Sequence, residues 1–172
     1  TAAFNYLETR DDVDLKRVAV VAWSLGGYYA PRIVTAEHRY AACITYGACY
    51  DYGKSWRKRV AAGNHALAPY ATWINGVKTM DAALEKFDKF TLEGCLKNVT
   101  CDVLITFGGD DPQQQVEDTK RICDEMINAR SVTFKLFTQE EGACCHVCAD
   151  NQTLGNSYTA DWLMDLFGMT MV

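Results

Sequence analysis

Apolar residues in this chain fall into two kinds of run, continuous and helically spaced, and the two kinds alternate. Residues 18–22, 40–46, 102–107 and 132–137 are continuous and rich in β-branched or aromatic side chains. Unbroken apolarity is what a strand covered on both faces requires, so these four runs predict a parallel sheet. Helical spacing marks residues 2–10, 25–36, 80–90, 114–128 and 151–167. In the first, Ala3, Phe4 and Leu7 share a face, and in the fourth Val116, Ile122, Cys123, Met126 and Ile127 form the buried stripe. Pro31 falls inside the second helix and predicts a kink or break near Ala30. The alternation gives an α/β fold, a mostly parallel sheet with helices on both faces.

Between 47 and 98 this rhythm is lost until the helix at 80. The segment is rich in aromatic and basic residues, Tyr50, Tyr52, Trp56, Tyr70 and Trp73 among them. It is too long for a simple connection and is expected to be a lid-like or pocket-lining insertion within one domain spanning 1–172. The chain begins without Met or any leader pattern and is amphipathic at once, as though entered in the middle of a fold.

Composition narrows the possible functions. A net charge of −5 and a single short basic cluster (Lys54, Arg57, Lys58, Arg59) argue against nucleic-acid binding; that cluster reads as a solvated face. No run is long enough to span a bilayer, so no membrane partner is expected. The eight cysteines follow no disulfide framework, and several lie in apolar runs, which points to reduced thiols in a cytoplasmic protein.

The chemistry is concentrated at Val-Ala-Val-Val-Ala-Trp-Ser24-Leu-Gly26-Gly27, where a strand feeds a serine and then a helix. This is the shape of a nucleophile elbow, a sharp turn that lifts a serine hydroxyl above the sheet. Small residues are needed two before and two after the serine. Gly26 meets the second need, and Ala22 stands where glycine is usual. A serine nucleophile also needs an imidazole base and an orienting carboxylate. Asp110 and Asp111 follow the third strand, and His146 follows the fourth, so all lie at strand carboxyl ends, where open parallel sheets gather their sites. The order Ser, Asp, His predicts that Ser24, one of the two aspartates and His146 meet at one rim.

Plainer readings exist for each. Ser24 could be a helix cap, and the aspartates turn residues before Pro112. His38 and His65 compete with His146, but one sits in a charged corner and the other inside the insertion. Cys144, Cys145, His146 and Cys148 also suggest a zinc or redox site; a second ligand pair would have to come from Cys95 and Cys101, at poor spacing. Gly26-Gly27 lacks the neighbours of a phosphate cradle. No metal or cofactor is expected.

Trp-Ser24-Leu-Gly-Gly-Tyr-Tyr-Ala-Pro31-Arg32, the Gly108-Gly109-Asp110-Asp111 turn and Glu140-Glu141-Gly142…His146…Asp150-Asn151 together resemble a branch of the α/β-hydrolases. That branch holds fermentation/respiration-switch esterase-like proteins, dihydroxypseudo-oxynicotine hydrolases and fungal pigment hydrolases that shorten polyketides. The resemblance covers about residues 1–167 and implies the C-terminal part of an α/β-hydrolase fold. It implies hydrolysis of a carbon–carbon bond next to a ketone, or of a carboxylic ester, in a small aromatic or polyketide-like substrate. Ser24 would be the nucleophile, His146 the base, Asp111 rather than Asp110 the orienting acid, and the backbone N–H of Leu25 an oxyanion donor. Trp23 and Tyr28 are candidate pocket residues, with core packing the alternative for both. Relatives carry further N-terminal strands, a helical cap and a second oxyanion loop. The expected partner is therefore an N-terminal piece of the same enzyme, with self-association as a further possibility, and the first strand should lie beside strands this chain lacks. The competing expectation is a non-catalytic or partner-dependent binding protein of the same fold.

Overall fold

The computed structural model describes residues 1–169. Its sheet is built from β1 (Ala19–Trp23), β2 (Ala42–Tyr46), β3 (Asp102–Gly108) and β4 (Ser131–Phe137), in the order β1-β2-β3-β4 with every neighbouring pair parallel. Register is level across the sheet: Ala19 lies opposite Ala42, Ala42 opposite Asp102, and Asp102 opposite Ser131. The carboxyl ends of the strands consequently share one rim.

Alternate side chains serve two cores, as a pleated strand demands. Cys43, Val103 and Ile105 point to one face, against α2 (Gly26–Val34) and α6 (Val116–Glu125). Ala42, Ile44, Tyr46 and Leu104 point to the other, against α7 (Gln152–Leu166). The Tyr46 hydroxyl ties that face down through Thr159 Oγ1 at 2.5 Å and the Gly155 carbonyl at 3.0 Å. A short first helix, α1 (Ala2–Leu7), buries Phe4. β1 pairs only with β2, and its other edge has no strand beside it among the described residues.

The extent of α6 needs correction, and of the kink or break expected at Pro31 the break is absent. Helix α2 runs through Pro31 without a break. The proline removes the N–H that would bond the Gly27 carbonyl, and that carbonyl accepts instead from the Cys49 N–H at 3.5 Å, so the lost bond is replaced from outside the helix. Helix α6 stops at Glu125, and Ile127, assigned above to its buried stripe, is 73% exposed.

The segment 47–98 is more ordered than its sequence suggests. It folds as α3 (Tyr52–Ala61), α4 (Ala68–Ile74) and α5 (Met80–Phe87), closed by an isolated bridge between Asp51 and Thr91. These helices have a small core of their own, in which Trp56 stacks on Phe87 beside Ala71, Ala83 and Leu84. No helix among the described residues is long and apolar enough to cross a membrane.

Candidate active site

Ser24 follows the last residue of β1 with φ at +55°. A non-glycine residue in this left-handed region costs about 1–3 kcal/mol, and such strain persists only where its surroundings enforce it. Here they do. The Ser24 N–H continues the ladder to the Tyr46 carbonyl at 2.9 Å, while its own carbonyl already accepts from the Gly27 N–H at 2.7 Å in the turn that opens α2. The turn is too tight for two side chains: a Cβ on Gly26 would sit 2.7 Å from the Ala22 Cβ. Alanine at 22 is admitted because glycine stands at 26. The Leu25 N–H makes no backbone hydrogen bond among the described residues.

The structure brings three of the sequence-predicted side chains into one line. His146 Nε2 is 2.9 Å from Ser24 Oγ, and His146 Nδ1 is 2.7 Å from Asp111 Oδ2. The Asp111 side chain has no exposure and the imidazole only 13%. The other Asp111 oxygen accepts from the N–H groups of Gln113 at 2.7 Å and Gln114 at 3.2 Å. An ionised carboxylate only accepts, so Nδ1 carries the proton and donates it to Asp111, leaving Nε2 to accept from the serine hydroxyl. Asp110 is exposed and takes a hydrogen bond from Gln139 Nε2 at 2.6 Å.

The loop that delivers His146 is itself strained. Ala143, Val147 and Cys148 all have positive φ, as does Gly142. Asp150, to which the sequence reading assigned no role, holds this loop by accepting from the N–H groups of Cys144 and Cys145, each at 2.9 Å. Those amide hydrogen bonds, the Cys145 one foremost, pull its carboxyl below the usual carboxylate range. An Asp-Asn pair opening a helix after a small-residue loop is the sequence signal; Asn151 caps α7 by accepting from the Leu154 N–H. The floor of the loop is Gly108, where a Cβ would fall 2.3 Å from the carbonyl oxygens of both Cys144 and Cys145. Neither backbone can yield without moving His146. Gly108→Ala is expected to lose about 1–3 kcal/mol of stability by overpacking, measured by urea unfolding. Gly109→Ala, whose Cβ would meet the Phe137 carbonyl at 3.1 Å, should lose less.

A cavity of about 570 Å³ opens beside Ser24 and Leu25. Its far wall comes from the segment 47–98, where Tyr52, Trp56 and Tyr70 supply aromatic surface and Lys58 and Arg59 supply charge. Lys58 is exposed and Arg59 half-buried, as a solvated helix face requires, and both also border the cavity; so do Gln113 and Gln114, to which the sequence assigns no role. Trp23 and Tyr28 do not. Trp23 stacks on Tyr46 and is 47% exposed; Tyr28 is a core residue packed against Phe90 and Tyr29. Cys49 borders the cavity as well, but burial pushes its thiol up to about 11, so it stays protonated near neutral pH and is a poor nucleophile.

His38 and His65 are both exposed. The zinc reading of the histidine loop loses its imidazole, because both ring nitrogens of His146 are engaged by Ser24 and Asp111. Cys148 is buried against Gly155. Cys144, Cys145 and Asp150 do bring donor atoms within 4.8 Å of one another, but both oxygens of Asp150 are already bonded to the loop backbone.

Likeness to known proteins places the fold. The sequence model of the prolyl oligopeptidase family matches residues 1–169. Hydrolase acrC of Aspergillus aculeatus is 28% identical across 137 aligned positions, taking in 61% of this chain and 32% of that protein. The solved 2,6-dihydroxy-pseudo-oxynicotine hydrolase superposes with a TM-score of 0.73 at 20% identity, covering 99% of this chain and 46% of that one. The α/β hydrolase GrgF from Penicillium sp. sh18 does so at 0.64 and 15%, covering 98% and 70%. The architecture is that of the α/β-hydrolases, and the chain spans about a third of the first relative and under half of the second.

Proposed function

The chain belongs to the prolyl oligopeptidase family, and from that premise we propose that it is a serine hydrolase acting on a small carbonyl compound through an acyl-enzyme. The bond cleaved is a carbon–carbon bond next to a ketone or a carboxylic ester. The hydrogen-bonded line from Asp111 through His146 to Ser24 carries this reading. Ser24 Oγ adds to the carbonyl carbon while Nε2 of His146 takes its proton, and Asp111 stabilises the imidazolium that results. Charge on the carbonyl oxygen is met by the Leu25 N–H. His146 then returns the proton to the leaving group, an alkoxide from an ester or an enolate from a diketone. Water, activated by the same imidazole, releases the acid and restores Ser24.

A cavity of about 570 Å³ suits a small ligand, within the roughly 300–1,000 Å³ typical of such sites. The name of the 2,6-dihydroxy-pseudo-oxynicotine hydrolase agrees with a small aromatic substrate. The open edge of β1 favours a further proposal, that an N-terminal piece of the same enzyme adds strands there and supplies the second oxyanion donor. Without that piece the chain would bind but turn over poorly.

A fluorophosphonate probe tests the reading. One adduct is expected, on the peptide containing Ser24, and mass spectrometry should find it on the full-length protein whether or not the 172-residue chain reacts alone. An adduct elsewhere, or none on the full-length protein, sinks the assignment.

A further inference from the structure

We propose that Lys58 and Arg59 form an anion subsite, so that the substrate carries a carboxylate at the end remote from the bond cleaved; this rests on the cavity beside Ser24 being the substrate site. The four cations of α3 divide by whether they are ion-paired. Lys54 lies 3.6 Å from Asp51, which also caps the helix, and Arg57 forks onto Asp88. Lys58 and Arg59 make no ion pair among the described residues, and both border the cavity onto which Ser24 opens. No aspartate or glutamate borders that cavity. Asp51 and Asp118 border an adjoining cleft of about 200 Å³, which Lys58 also borders and Arg59 does not.

Cations in the last turn of a helix also offset its dipole, and α3 ends at Ala61. That effect needs no cavity. It does not account for two unpaired charges beside an aromatic wall in a pocket free of carboxylates. The Arg59 guanidinium stands over the Trp56 ring, 5.6 Å from its centroid, a contact that leaves its N–H groups without an anionic partner. A ring system lying against Tyr52 and Tyr70 would present a carboxylate to this pair at one end and its reactive carbonyl towards Ser24 at the other. An unpaired guanidinium and ammonium favour an anionic end over a neutral one of the same shape.

Two isosteric probes that cannot be hydrolysed at a ketone or ester separate charge from shape. Calorimetry should find 2-naphthoate bound about fivefold more tightly than 2-naphthamide by the full-length protein at low salt, the upper end for an exposed ion pair. The preference should shrink as salt rises towards about 0.5 M. In Lys58→Gln/Arg59→Gln it should vanish, with 2-naphthamide affinity unchanged, which shows the cavity intact. Equal binding of the two probes, binding of neither, or a preference that survives the double substitution would overturn the proposal. These outcomes are independent of the Ser24 adduct, so the subsite can fail while the hydrolase reading stands.

Discussion

Alanine at Ser24, alanine at His146 and alanine at both are expected to lower kcat/KM for a p-nitrophenyl ester by one common amount, on the order of 10⁴- to 10⁶-fold. The equality matters more than the size. In the proposed mechanism the 2.9 Å contact between Ser24 Oγ and His146 Nε2 makes one proton transfer the work of both residues. Without the imidazole, the hydroxyl is an ordinary weak alcohol; without the hydroxyl, the imidazole has nothing to activate in the acylation step. Once either is gone, removing the other costs nothing more. What remains is stabilisation by the Leu25 N–H and by binding, which neither substitution touches. Steady-state kinetics on the full-length protein measures all three variants. Losses that multiply in the double variant would mean the two residues act separately, and a His146→Ala enzyme within about tenfold of wild type would remove the base from the mechanism.

The sheet was legible because strands buried on both faces cannot alternate. The runs around Ala42–Tyr46 and Asp102–Gly108 are wholly buried, and their sequences are apolar with hardly a break. Helices α3 and α4 were not legible. In α3 the apolar residues Tyr52, Trp56 and Val60 keep a four-residue spacing, but four cations around them hide the stripe from a reading based on mean polarity. Position along the chain also misled. Trp23 and Tyr28 flank the serine in sequence, yet the turn at Ser24 sends one onto Tyr46 and the other into the core. Most of the cavity wall comes instead from the aromatic-rich segment 47–98, expected to line a pocket, while Pro112, Gln113 and Gln114 join it from the loop after β3 without a local pattern to announce them. The choice between Asp110 and Asp111 shows the same limit. Both follow β3, and only the resemblance favoured the second; the structure separates them by burial, one carboxylate enclosed and the other in solvent.

That separation makes a sharp prediction about the carboxylate. Asp111→Asn is expected to lower kcat by about 10⁴-fold while Asp110→Asn changes it by no more than about twofold, the usual range for an exposed site. The reason lies in which oxygen does what. Oδ1 of Asp111 accepts from the N–H groups of Gln113 and Gln114, so in the asparagine variant the amide oxygen must occupy that position. The amide NH₂ is then turned towards His146 Nδ1, which has to accept. The ring proton moves to Nε2, where it faces the Ser24 hydroxyl as a donor and can no longer take its proton. Shape and packing are nearly conserved, so urea unfolding should change little while nitrogen chemical shifts of His146 report the exchanged tautomer. The Asp110 side chain takes its hydrogen bond from Gln139 and lies beside the Cys144 thiol, with no contact to the imidazole, so its amide would leave the ring as it was. Should both variants lose activity alike, the loop after β3 would be acting through its total charge rather than through one oriented oxygen, and the tautomer argument would fall with it.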